Sequence, residues 1–353
     1  MRSLLDIARS GLRPNRAMLR KVNALRRRAG QSGFTLLELL VVVAILAAIA
    51  GTATIVLQDT DRRASAAAHV VIMDELKKGV NTFQVLNGGQ LPNNWDSLLQ
   101  TETAVTEGET ATPSQLLSIM DDALRDGGDT STTSSAFLKM IGLPAGVTEE
   151  LNTAGITKMR VVQNAAVTPK DAKVDCSDLK RLINDTRDST VASNIYMAPS
   201  SHGCGATYTL ADGGNVAVWV GGQKRIFGSE AIELGGNEDT TTTTYGGVIA
   251  ANGTAPGQRL LMAVGFGPDT TIFNGKIGGL TTVPVYRHVA KDDYNRFIGL
   301  IEIANTPETG TTSGTTTTYE WQAITPSLVA VVDGAGDTKD EELGEWDGTR
   351  SSL

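Results

Sequence analysis

Residues 33–57, GFTLLELLVVVAILAAIAGTATIVL, decide how this chain is organised. From Phe34 to Leu57 Glu38 is the only charged residue. A helix over that stretch rises about 36 Å, enough for a hydrocarbon core of about 30 Å. The run therefore has membrane-spanning length. An acid inside such a run costs about 2.5–3.5 kcal/mol at a helix centre and less near an end. A carboxylate kept there implies either a partner for its charge or a position from which it can reach the interface.

On the N-terminal side, residues 1–33 carry nine Lys/Arg against one acid, Asp6. That is a net charge of +8 in a chain whose total is −8, so residues 34–353 carry −16. A basic end beside an apolar span is the pattern of a segment retained on the cytoplasmic side. A nucleic-acid-binding arm fits less well, because the basic segment has no aromatic residue to stack on bases and abuts the span directly. A cleavable secretory signal is the other alternative, and Ala48-Ile49-Ala50 offers a small-x-small site. Signal cores, however, run to about 7–15 residues and do not normally hold an acid.

On the C-terminal side the helical pattern continues through residues 58–86 without proline. Val71, Ile72, Leu76, Val80, Phe83 and Leu86 are read as its apolar stripe, with Asp74, Lys77, Lys78 and Gln84 between them. Gly88-Gly89 and then Pro92 form a helix stop. Residues 92–353 are long enough for a core of their own. Short helices are expected in Gln115–Leu124 and Ser135–Ile141. Strands are expected at Met159–Val162, Tyr208–Leu210, Val216–Val220, Arg259–Phe266, Val283–Arg287, Phe297–Ile303 and Leu328–Val332. The Thr-rich tracts Thr130–Ser135, Thr240–Thr244 and Thr311–Thr318 read as exposed connectors.

Four segments follow: a basic leader (1–33), a membrane-spanning helix (34–57), an amphipathic second half with its loop (58–91) and an exported globular head (92–353). The fold class is α+β, with a long N-terminal helix, membrane-spanning in its first half. That helix packs on a mainly antiparallel β-sheet head with short helices and long loops.

Gly33-Phe34-Thr35-Leu36-Leu37-Glu38 resembles the processing motif of type IV prepilins and type II secretion pseudopilins. The resemblance implies cleavage after Gly33 by a prepilin peptidase, N-methylation of the new N-terminal Phe34, and Glu38 as the family's assembly acid. The family often carries a proline about where Ile55 stands; here the softest sequence is Gly51-Thr52-Ala53-Thr54. The loop Phe83 to Pro92, with Trp95 and Leu98-Leu99 beyond it, is similar to that of major pseudopilins. The implied product is a structural subunit of a type II secretion pseudopilus or type IV pilus-like filament. Its partners would be other pilin or pseudopilin subunits, an inner-membrane assembly platform and, before assembly, membrane lipid. It would sit as a single-pass protein of the inner membrane, N-terminus cytoplasmic, with the head periplasmic or at the cell surface. A minor pilin serving as surface adhesin or DNA-uptake module is the alternative. The net −16 beyond the leader argues against a general nucleic-acid grip.

Cys176 and Cys204 are the two cysteines, both on the side that would be exported. An oxidising compartment favours a disulfide between them over free thiols or a metal site with His202. The acidic stretch 333–342 offers Asp333, Asp337 and Asp340 as hard oxygen ligands. Major pseudopilins hold calcium in a C-terminal loop, so Ca2+ is the candidate ligand the resemblance implies. The spacing matches no EF-hand, and an acid run is ordinarily a solvated terminus. No other cofactor is expected. The three histidines, His69, His202 and His288, are scattered along the chain, and no nucleophile elbow, phosphate loop or His-Glu-x-x-His occurs. An enzyme is not expected.

Overall fold

The computed structural model describes residues 36–347 except for interior stretches, the longer being 107–111, 125–136, 169–180, 183–193, 196–205, 235–254, 275–279 and 290–293. The chain divides into one unit ending at Arg62 and another beginning at Arg63. Helix α1, Leu36–Leu86, contributes to both. It ends where the glycines make ending cheap. Gly88 and Gly89 take positive φ, while the Asn87 and Gly89 amides donate to the Phe83 and Gln84 carbonyls at 2.9 and 2.7 Å.

Within the second unit α1 buries Ala66, Val70, Met73, Leu76, Val80 and Phe83. Those positions are three or four apart and share one helix face. The expected stripe is therefore corrected at two places: Val71 is 56% and Leu86 67% exposed. Val71 precedes Leu76 by five residues, about 140° round the helix, and so faces away from the core. Leu86 is the last helical residue.

The helix face rests on an eight-stranded sheet. Its strands are β1 (Trp95–Asp96), β2 (Leu138–Gly142), β3 (Lys158–Val161), β4 (Ala206–Thr209), β5 (Asn215–Trp219), β6 (Arg259–Gly265), β7 (Ile298–Asn305) and β8 (Gln322–Val332). The order is β4-β3-β1-β6-β5-β2, with β7 on the other edge of β6 and β8 beyond β7. Every pairing is antiparallel except β1 with β3. Alternate residues of β6 serve two cores: Leu260, Met262 and Val264 join the helix-side cluster, Leu261 and Ala263 the cluster behind. A strand covered on both faces has no polar side to show, which is why Leu260–Gly265 reads as a continuous apolar run.

A charged cluster sits inside the sheet. Asp96 and Arg160 are register partners on β1 and β3, both fully buried, with Arg160 Nη1 3.5 Å from Asp96 Oδ1 and Arg160 Nε 3.3 Å from Asp269. The Tyr294 hydroxyl donates to Asp96 Oδ2 at 2.9 Å. A Cβ on Gly267 would lie 2.1 Å from Asp96 Oδ1, so this closure needs glycine. Burial raises the Asp96 carboxyl and the Arg160 guanidinium opposes that shift.

Two expected helices are corrected. Leu138–Gly142 is a strand, held by five register pairs to Asn215–Trp219, and Gln115–Leu116 is a short strand against Leu99 and Gln100. In such short apolar segments the available partner, rather than spacing, selects the backbone. The spacing still marked buried positions, since Leu117, Met120 and Leu124 are all core. Val283–Arg287 forms no strand over its described residues, though Tyr286 is buried. The tract Thr311–Thr318 contains a two-stranded hairpin, Thr311–Ser313 on Thr316–Thr318, with Thr311 and Thr312 exposed. Thr130–Ser135 and Thr240–Thr244 lie outside the described residues. The described helices of the head are α2 (Val147–Thr153), α3 (Gln223–Phe227) and α4 (Lys339–Asp347). Helix α4 replaces the solvated terminus read from the acid run.

Candidate functional site

In the first unit, α1 opens with an apolar segment. Leu36–Thr54 has a mean hydropathy of 2.5 and no part of it is buried within the protein. By length and composition it is the one described helix able to cross a membrane. Leu36, Leu37, Leu39, Leu40, Ile45, Leu46 and Ile49 are all more than half exposed. Glu38 lies in the first turn.

Gly51 does not interrupt the helix. The hydroxyls beside it turn back onto the backbone. Thr52 donates to the Ala48 and Ile49 carbonyls at 3.2 and 3.0 Å, and Thr54 donates to the Ala50 carbonyl at 2.8 Å. Such back-bonding lets a threonine enter lipid or a helix bundle without an unmet donor. Gly33 and Phe34, the expected processing and methylation positions, lie outside the described residues, as do Cys176 and Cys204.

In the second unit, α1 is tied to the end of the chain. His69 Nδ1 lies 3.2 Å from Glu342 Oε1 of α4, and the two residues are 3% and 1% exposed. The other His69 nitrogen, Nε2, is 3.5 Å from Ser65 Oγ one turn earlier. The His69 ring packs on Tyr286 and His288, with centroids 4.6 and 4.5 Å away. Lys339 Nζ donates to both Asp74 oxygens at 2.8 and 2.7 Å, and Lys77 Nζ donates to the Val329 carbonyl at 2.9 Å. The Lys339 hydrogen bond holds the Asp74 carboxyl below its ordinary value.

The three acids proposed for calcium have different neighbours. Asp333 is buried; its Oδ1 accepts the Ala335 and Asp337 amides at 2.9 and 2.8 Å, closing the turn before α4. Asp337 lies 3.7 Å from the Arg225 guanidinium, and Asp340 is exposed. Arg225 also donates through Nε to Glu341 at 2.9 Å while stacking on Phe137 at 4.5 Å. Burial alone would raise the Glu341 carboxyl, but Arg225 and the Thr338 amide hold it below the ordinary value. Asp333 moves the other way: burial and then Glu342 push it well above the carboxylate range.

Among the described residues, the group able to converge on a metal is instead His69, His288 and Glu342. Residues far apart in the chain meet here, so no local spacing displays the group. One signal was present: His69 falls in phase with Ala66, Met73 and Leu76 on the buried face of α1.

Residues 28–54 match the family described as the prokaryotic N-terminal methylation motif. This match supports the type IV pilin and pseudopilin family, whose members with this motif are structural proteins. Neither a curated protein nor a solved structure matches the chain.

Proposed function

We propose that the chain is a structural subunit of a type II secretion pseudopilus or type IV pilus-like filament. It is cut by prepilin peptidase after Gly33 and N-methylated at Phe34. The observation that carries this reading is the apolar, wholly uncovered Leu36–Thr54 segment lying within the methylation-motif match. Before assembly that segment resides in the inner membrane, with the leader cytoplasmic and the head outside. Apolar side chains gain nothing hydrophobic by leaving lipid for one another, so assembly needs close packing and polar pairing. The small residues Ala44, Ala47, Ala48 and Gly51 supply the first.

Glu38 supplies the second. Cleavage creates an α-ammonium at Phe34, and the Glu38 carboxylate of a neighbouring subunit neutralises it. At close range in a low dielectric the pair is far stronger than in water. Removing one partner of a buried pair costs about 3–5 kcal/mol. Open head-to-tail repetition of that contact builds a filament on the assembly platform.

The test is electron microscopy of filaments from cells co-expressing the chain and its assembly genes. Wild type should give filaments, and Glu38→Val should give processed, membrane-resident subunits without them. Equal filament yield from both would remove Glu38 from the mechanism.

A further inference from the structure

We propose that His69, His288 and Glu342 form a binding site for a first-row transition metal of the Zn2+ class, which clamps the head half of α1 to the C-terminal helix. Each ligand comes from a different element: α1, the segment following Tyr286, and α4. Their candidate ligand atoms all lie within 4.8 Å of one another. His69 Nδ1 and Glu342 Oε1 are already 3.2 Å apart, the spacing two ligands take on one ion with bonds of about 2.0–2.2 Å.

The donor set selects the ion. Two imidazole nitrogens with one carboxylate oxygen suit zinc and its first-row neighbours, whereas Ca2+ and Mg2+ take oxygen sets. The site is not calcium chemistry. His288 is exposed while His69 and Glu342 are buried, which leaves a solvent side by which an ion can enter and water can complete the shell. Ser65 Oγ, 3.5 Å from Nε2 of His69, stands where an outer partner would orient the imidazole with Nδ1 toward Glu342 and the ion.

The surroundings point the same way. Asp333 lies beside Glu342 and Tyr286, fully buried, and its Oδ2 has no hydrogen bond of good geometry. A bound dication would give this second buried carboxyl oxygen the partner that the His69–Glu342 contact does not supply. The neighbouring cations are committed elsewhere: Lys339 to Asp74, and Arg225 to Glu341 and Asp337. The two imidazoles, with ring centroids 4.5 Å apart, are close enough to share one dication. Such an ion offsets both acids at once.

The test uses the full chain in detergent, without a histidine tag, stripped with chelator and titrated with ZnCl2, with CoCl2 as a spectroscopic probe. Expected are one equivalent of Zn2+ bound, a rise in melting temperature, and Co2+ visible absorption of a low-coordinate nitrogen–oxygen site. Because His288 is exposed, His288→Ala should match wild type when metal-free yet lose more than about 100-fold in Zn2+ affinity, and Ser65→Ala about 10-fold. Three results would overturn the proposal. These are no stoichiometric Zn2+ binding by wild type, unchanged affinity in His288→Ala, or stabilisation by CaCl2 that ZnCl2 does not reproduce.

Discussion

The two parts of α1 are made of the same backbone and put to opposite uses. From Leu36 to Thr54 nothing is buried within the protein, and Glu38 is the only charged residue in an otherwise apolar segment. From Ala66 to Phe83 only one face is apolar, and that face is covered by the sheet while Lys77, Lys78 and Glu75 stay exposed. A helix apolar on every side expects surroundings apolar on every side; a helix with one stripe expects one core. On the proposed reading, the contrast separates what the chain offers to neighbouring copies from what it supplies to its own fold. A substitution in one part should leave the property of the other untouched.

The largest effect is expected in the first part. Glu38→Val should abolish filament formation, a loss of about 3–5 kcal/mol per contact, while the head's melting temperature stays at the wild-type value. A destabilised head in that variant would break the separation.

Next comes the second part. Leu76 is 1% exposed, and Leu76→Ala should cost about 2–5 kcal/mol in denaturant unfolding of the head. Leu40, 62% exposed, is its control: Leu40→Ala should leave head unfolding unchanged and weaken assembly instead. Similar losses of head stability from both would mean that the first part is covered by the head after all.

The smallest effect is the exposed pair Asp74–Lys339, whose side chains are about 40% accessible. Lys339→Met should cost at most about 1 kcal/mol and less at high salt. The Asp74 carboxyl is held below its ordinary 3.8, so the pair's contribution is complete above that value. It fades as pH falls through the lower folded value. Acid titration of unfolding in wild type and Lys339→Met should therefore show two curves that converge below about pH 4.

The same contrast marks what the sequence made legible. The extent of α1 was readable because its signals are local: the apolar run, the later periodicity and the Gly88-Gly89 stop. Strands covered on both faces were readable as nearly unbroken apolar runs, Leu260–Gly265 throughout and Ile298–Ala304 with Glu302 its one charged residue. What failed depended on partners remote in the chain. Leu138–Gly142 is a strand because Asn215–Trp219 lies beside it, and the stripe on α1 was misplaced at Val71 because adjacent valines hide the phase. The acid run 333–342 was read as solvated, yet Asp333 and Glu342 are buried against His69 and Tyr286. A meeting of residues 69, 288, 333 and 342 is a property of the folded chain and has no one-dimensional signature.

The central claim is that the first part of α1 is a processed assembly helix, and mass spectrometry of the mature N-terminus tests it most directly. The account predicts a peptide beginning at Phe34 and carrying one added methyl group. A mature chain beginning at Gly51 would identify a cleaved secretory signal and contradict the account.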